Sequence, residues 1–247
     1  MKINIVSKDP RYALVKEHLC RQGSVARVCL PCEIDECDCL LLSVKKELDI
    51  SELELIFSRI KKETIVLCGS DERIDKLFNG KIINYSKNSD FVVKNAYLTA
   101  EATVSFLHSI TKESFNKKRI FISGYGRIGK ELCRILKALG SGVFCYARRQ
   151  ETREQMRLDG VNYAPIERCI ECDIVINTVP SVIYYKELID KIPKTTTIIE
   201  LASLPYGFAN MERVILGSGL PGKILTSSAA DIIFDTICDI LSLTKKE

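Results

Sequence analysis

The sequence predicts an α/β protein of two doubly wound parallel-sheet domains, the second a Rossmann dinucleotide-binding domain. Three observations lead there. Short β-rich runs alternate with helical patterns along all 247 residues, the signature of parallel strands covered by helices. One such run, 119–123, feeds directly into Gly124-Tyr125-Gly126-Arg127-Ile128-Gly129, a GxGxxG pattern at the strand-to-helix turn where it carries meaning. A chain of this length also divides naturally into two domains of roughly 100 to 150 residues.

Composition narrows the function classes. Hydrophobic residues make up 46% and charged residues 28%, which excludes a disordered polar chain. The surplus of 36 basic over 32 acidic side chains, +4, is too small to point to nucleic acid or a membrane surface. The apolar run 232–243 is cut by Asp235 and Asp239 and falls short of the ~18 residues of a membrane span. The opening MKINIV is too short for a signal-peptide core and reads as a first strand, so a cytoplasmic address is expected. Eleven cysteines are then expected as thiols. Cys29, Cys32, Cys37 and Cys39 have a spacing that could close on zinc. Cys39 opens an apolar strand run, however, and no glycine separates the pairs, so no metal is expected. Cys169 and Cys172 flank a strand start rather than opening a helix, unlike a redox CxxC motif.

In the first half, strands are expected at 2–6, 25–30, 40–44, 65–68 and 82–85, with helices at 12–22 and 52–61. Residues 95–111 carry Ala102, Phe106, Leu107 and Ile110 on one stripe and predict a helix within a connecting segment, 95–116. A second βα series fills 117–223. The pair Ser228 and Asp231, resembling a capping box, precedes Ile233, Ile237, Ile240 and Leu241. The C-terminal helix it predicts is expected to pack back on the first domain, which would comprise 1–94 plus 224–247, with a flavodoxin-like layout and a substrate or interaction role.

The glycine pattern has its full context. Ile128, Leu132, Ile135, Leu136 and Leu139 continue it at helical spacing, Gly140 closes the helix, and 142–147 form the next strand. Gly124 allows the tight turn, Gly126 the approach of a pyrophosphate, and Gly129 the packing of helix on strand. The phosphates would lie at the helix N-terminus, cofactor-binding residues being Gly124, Tyr125, Gly126, Arg127, Ile128 and Gly129. An acid for the ribose 2′-hydroxyl is missing from the second strand end, which reads Tyr146-Ala147-Arg148-Arg149 with the first carboxylate at Glu151. Arg148 and Arg149 suit a 2′-phosphate, so NADP is favoured over NAD.

Taken in order, the motifs resemble one family, the A subunits of dipicolinate synthase. The resemblance rests on Asn95-Ala-Tyr-Leu-Thr99-Ala-Glu101, on the glycine pattern, and on Ala147-Arg148. It continues through Ile176-Asn177-Thr178-Val179-Pro180-Ser181, Leu201-Ala202-Ser203-Leu204-Pro205-Tyr206-Gly207 and Gly219-Leu220-Pro221-Gly222. Before residue 95 the likeness is mainly one of layout, with Asp9 and Arg11 after the first strand. The chain departs where the family typically has an arginine, here Leu204, and a Pro-Lys-Thr segment, here Thr226-Ser227-Ser228. The resemblance implies oxidation of a dihydrodipicolinate-type dicarboxylate to dipicolinate, with a nicotinamide taking the hydride, in sporulation. The partner it implies is a flavoprotein-like B subunit.

A 2-hydroxy acid dehydrogenase needs a base poised near neutral pH, usually histidine. His18 and His108 both precede the glycine pattern, which disfavours that chemistry. Aromatisation asks instead for orientation and carboxylate capture. Strand C-terminal ends are where ligands lie in such sheets. That places Asn177, Thr178, Val179, Pro180 and Ala202 at the cofactor, and Ser203 with Gly219, Leu220, Pro221 and Gly222 at the substrate. Arg11 is expected to hold a carboxylate in the cleft between the domains, beside Thr99 and Glu101, which equally fit a helix cap. Two alternatives stay open: another two-domain NAD(P)-dependent dehydrogenase, or a nucleotide-binding protein without catalysis that supports a partner. A homo-oligomer is left open, and no nucleic-acid or membrane partner is expected.

Overall fold

The computed structural model describes residues 1–242; residues 243–247 of the expected first-domain segment lie outside them. The chain divides into two units. One comprises Met1–Asn95 and the segment from Pro221 onward, the other Ala96–Leu220.

The first unit runs β1 (Lys2–Val6), α1 (Arg11–Arg21), β2 (Val25–Val28), β3 (Cys39–Leu42), α2 (Ile50–Phe57), β4 (Ile65–Cys68), α3 (Glu72–Leu77) and β5 (Ile82–Asn84). Among the described residues these strands form a five-stranded sheet in the order β2-β1-β3-β4-β5, parallel throughout. This 2-1-3-4-5 order is that of flavodoxin-like sheets, with a topological switch between β1 and β3. The buried run Cys39–Leu42 is apolar at every position, as a central strand covered on both faces requires.

Several boundaries differ from the sequence expectation for local reasons. β2 stops at Val28 because Leu30 opens a short turn whose Glu33 carboxylate accepts the Leu30 amide at 2.9 Å. α2 begins at Ile50, two residues before the expected start, under a reciprocal cap. Asp49 accepts the Glu52 amide at 2.8 Å and Glu52 accepts the Asp49 amide at 2.9 Å. α3, unforeseen, is a six-residue helix whose cap Asp71 also pairs with Arg73.

α4 (Ser89–Thr111) is longer than expected. It starts beneath Asn88, whose side-chain oxygen accepts the amides of Asp90 and Phe91. Thr99 and Glu101 therefore lie in mid-helix, and the cap reading of that pair is corrected.

The second unit continues with β6 (Arg119–Ser123), α5 (Arg127–Ala138), β7 (Gly142–Tyr146), α6 (Gln150–Leu158), β8 (Asn162–Tyr163), β9 (Ile174–Asn177), α7 (Lys186–Ile189), β10 (Thr197–Glu200) and β11 (Ile215–Leu216). Its sheet order is β11-β10-β9-β6-β7-β8, again parallel. Counted within the unit this is 3-2-1-4-5-6 read from the far edge, the Rossmann order, with the switch between β6 and β9. Ile120, Ile122, Leu132, Leu136, Val143 and Ile176 join the core between sheet and α5. Cys169 and Cys172 lie buried just before β9, as apolar side chains would.

The chain then passes through α8 (Leu220–Ile224) into α9 (Thr226–Leu241). Gly219 takes φ +69°, and Leu220, Pro221 and Gly222 open α8 rather than forming a free loop. α9 begins two residues before Ser228. The Leu225 amide bonds to the Pro221 carbonyl and the Ala229 amide to the Leu225 carbonyl, so the two helices nearly fuse and leave Ser228 no bare N-terminus to cap. Ala230, Ile233 and Ile237 of α9 enter the first unit's core beside Tyr12, Val15 and Leu19.

Among the described residues no helix is long and apolar enough to cross a membrane, and no group of three or more His, Cys, Asp or Glu is placed to hold a metal ion. Cys29, Cys37 and Cys39 are buried in the first unit, and burial pushes the Cys39 thiol up to about 12, the reverse of what a thiolate ligand needs.

Candidate functional site

In the second unit a cavity of about 300 Å³ opens at the C-terminal ends of β6, β7 and β9. Gly124, Tyr125 and Gly126 form one wall, Tyr146 to Arg149 with Thr152 a second, and Thr178 to Ser181 with Ile183 a third. The three glycines behave differently. Gly124 takes φ +96°, and a Cβ there would stand 2.5 Å from Thr178 Oγ1, so both backbone and neighbour demand glycine. A Cβ on buried Gly129 would stand 2.0 Å from the Gly124 carbonyl oxygen, which is the close helix-to-strand packing. Gly126, the N-cap of α5, would bring its Cβ within 4 Å of nothing. The protein leaves the flank of Gly126 open.

α5 supplies the electrostatics. Its first intrahelical bond is donated by Lys130 to the Gly126 carbonyl, at 2.8 Å, so the amides of the preceding turn have no acceptor within the helix and favour an anion. Arg127 stands exposed at the first helical position, while Ile128 packs partly into the core. Tyr125 lines the cavity and donates its hydroxyl to Asp159 at 2.7 Å; Lys130 pairs with the same carboxylate at 2.8 Å. Lys130 and the Tyr125 hydroxyl hold the Asp159 carboxyl below its ordinary range.

Thr178 binds the opposite wall, its amide and hydroxyl both donating to the Ser123 carbonyl, at 2.9 and 2.8 Å. Asn177 does not reach the cavity. It is fully buried, donates to the Val179 carbonyl and to Glu200, and accepts the Val179 amide. Ala202 is likewise buried, its amide held by Glu200 at 2.8 Å. Glu200, missed at the sequence level, is 1% exposed. Its oxygens accept from Asn177 at 2.7 Å, Ala202 at 2.8 Å and Gly207 at 2.7 Å. Burial raises its pKa against the lowering pull of these three donors. The signal available in sequence was a lone carboxylate closing an otherwise apolar strand. Ser203 and Leu204 are exposed beyond β10. Thr152 and Ile183 are further cavity residues that the sequence did not point to, and Tyr146, Ala147 and Ser181, present in its motifs, join them without having been assigned to the cofactor.

In the first unit, Arg11 stands at the switch between β1 and β3. It is 5% exposed and grips Asp9 with Nε and Nη2, at 3.0 and 2.7 Å. Burial pushes the Asp9 carboxyl up, but Arg11 and Lys45 bring it below its ordinary value. Gly222 lies against Arg11: a Cβ there would stand 2.9 Å from Nε. Beneath, the Val44 amide donates to the Tyr12 hydroxyl, which bonds to the Tyr85 hydroxyl, which donates to the Leu42 carbonyl. His108 is exposed and packs on Phe115 at 4.0 Å, and His18 meets Asp231 at 3.4 Å. Neither histidine lines the cavity.

Comparison with known proteins agrees with this geometry. Residues 95–202 match the family described as D-isomer specific 2-hydroxyacid dehydrogenase, NAD binding domain. The chain is similar to the A subunit of dipicolinate synthase from Bacillus subtilis (strain 168), at 26% identity over 68% of this chain and 60% of the relative's length. Among solved structures, the dipicolinate synthase A subunit from Bacillus halodurans superposes with a TM-score of 0.81 at 21% identity, covering 98% of this chain and 97% of that one. Its counterpart from Bacillus subtilis gives 0.80 at 22%, covering 98% and 96%. The resemblance drawn from the sequence is borne out, as are the two parallel-sheet domains with a Rossmann domain second. The family match assigns a nicotinamide dinucleotide as cofactor and an oxidoreductase-like fold.

Proposed function

We propose that this chain is the dehydrogenase-type A subunit of a dipicolinate synthase, oxidising a dihydrodipicolinate-type intermediate to dipicolinate with NADP. The observation that carries the reading is the open flank of Gly126 at the N-terminus of α5, within residues 95–202, which match an NAD-binding domain. Similarity to the A subunits of dipicolinate synthases supports the substrate class. The name of those relatives as A subunits supports partnership with a second subunit, here read as a flavoprotein-like B subunit, and a cytoplasmic role in sporulation completes the proposal.

The residues fit the cofactor. Gly126 and the free amides of the first turn of α5 would face the pyrophosphate, and Arg148 and Arg149 the ribose 2′-phosphate. Thr178, Val179 and Pro180 would border the second ribose, with Asn177 and Ala202 fixing that wall from behind. A bound nicotinamide supplies the hydride acceptor. The chain's own part is to orient the dicarboxylate and keep it from drifting. The first unit would offer a carboxylate the guanidinium edge of Arg11 that Asp9 leaves over, a dianion being costly to desolvate unpaired. The second unit would offer the Ser203 hydroxyl and the polar pair Thr99 and Glu101 on α4, with Glu101 as acceptor of the ring proton.

A second reading, another two-domain NAD(P)-dependent dehydrogenase, draws on the family matched by residues 95–202. One experiment separates the two. The purified chain is incubated anaerobically with dihydrodipicolinate or with a panel of 2-hydroxy acids, and with either nicotinamide, with and without the B subunit, and pyridine and reduced-nicotinamide absorbance are followed. Dipicolinate formation with equal reduction of NADP is expected. Reduction of NADP by 2-hydroxy acids alone, or no turnover in either mixture, would overturn the proposal.

A further inference from the structure

Arg148 and Arg149 are exposed at the end of β7, on a short turn that must hold two like charges side by side before any anion arrives. A third arginine fixes that turn. Arg153, one turn into α6, bends back so that Nε donates to the Ala147 carbonyl at 2.8 Å and Nη2 to the Arg148 carbonyl at 3.3 Å. Its guanidinium also lies over the Tyr163 ring of β8, 4.5 Å from the centroid. Two consecutive carbonyls and one aromatic face are thus held by a single planar fork, which a lysine cannot reproduce. Ala147 is 6% exposed, so water offers its carbonyl little replacement for the lost donor.

We infer that Arg153 is a specificity-determining positioning residue: it presets the Ala147-Arg148-Arg149 turn so that the two exposed arginines meet a ribose 2′-phosphate. The inference rests on the NADP reading above. Arg153 spends its own donors on backbone carbonyls and acts through its neighbours. With the turn pinned, phosphate binding orders only two side chains and not the backbone as well. The 2′-hydroxyl of NAD makes no such demand, so the effect is confined to NADP.

The test is a calorimetric titration of the full chain with NADP and with NAD in five proteins: wild type, Arg153→Gln, Arg153→Lys, the double variant Arg148→Ala/Arg149→Ala, and the triple variant that adds Arg153→Gln to it. For Arg153→Gln, NADP affinity is expected to fall about tenfold and NAD affinity to stay within about twofold, one charge-assisted bond being of that order. In the triple variant NADP affinity is expected to equal that of the double variant, the coupling expected of groups that act as one. Arg153→Lys, which keeps the charge but not the fork, is expected to lose NADP affinity as Arg153→Gln does. A parallel loss of NAD and NADP would reduce Arg153 to a fold residue and overturn the inference. Additive loss in the triple variant would show that Arg153 touches the phosphate itself, again overturning it. If the double variant binds NADP like wild type, the NADP reading fails, and the inference falls with it.

Discussion

Gly126→Ala is expected to melt with the wild type and yet to bind either nicotinamide dinucleotide at least about tenfold more weakly. The two halves of this result come from one feature, the open space beside Gly126. A methyl group on Gly126 would meet no protein atom within 4 Å, and the residue's φ of −83° is open to any side chain, so folding is unaffected. In the proposed function, the room the methyl takes is the room in which a pyrophosphate would approach the first-turn amides of α5. Calorimetric titration beside a thermal melt checks both halves. Unchanged affinity in a well-folded variant would make the pattern a structural turn.

The second large effect belongs to Glu200→Gln, expected to destabilise the protein by about 1–3 kcal/mol, the cost of leaving a buried donor facing a donor. The carboxylate serves three donors with two oxygens, and an amide offers one oxygen only. If that oxygen keeps Asn177 and Ala202, the new NH₂ faces the Gly207 amide. If it turns to Gly207, Asn177 loses its partner and with it the grip on both backbone groups of Val179. The cavity wall at Thr178 to Ser181 should then loosen, and dinucleotide affinity fall along with stability.

Denaturant melts of wild type and Glu200→Gln side by side check this, and an absence of destabilisation would refute the role of the three donors.

What the sequence made legible follows the reach of each signal. The Rossmann unit was readable because its determinants are local: Gly124, Gly126 and Gly129 lie within six residues, and the helix stripe begins inside them. The strands of the first unit were readable from apolar runs such as Cys39–Leu42, buried at every position. The reciprocal cap of Asp49 and Glu52 is present in the sequence but is overshadowed by the stronger apolar pattern that follows it. α3 is too short to show a period. Glu200 and Arg153 were hidden for another reason: their partners are Asn177, 23 positions away, and backbone carbonyls of a turn, which no residue type announces. Thr99 and Glu101 fit a helix start by spacing alone, whereas Asn88 begins the helix further back.

Hydrogen–deuterium exchange of the full chain, with and without saturating NADP, tests the central claim most directly, since it reports where the nucleotide lies as well as that it binds. Slowed exchange is predicted in three segments: Gly124 to Gly129 at the start of α5, Ala147 to Thr152 after β7, and Thr178 to Ser181 after β9. Saturating NADP that left all three segments exchanging as in the free protein would contradict the account.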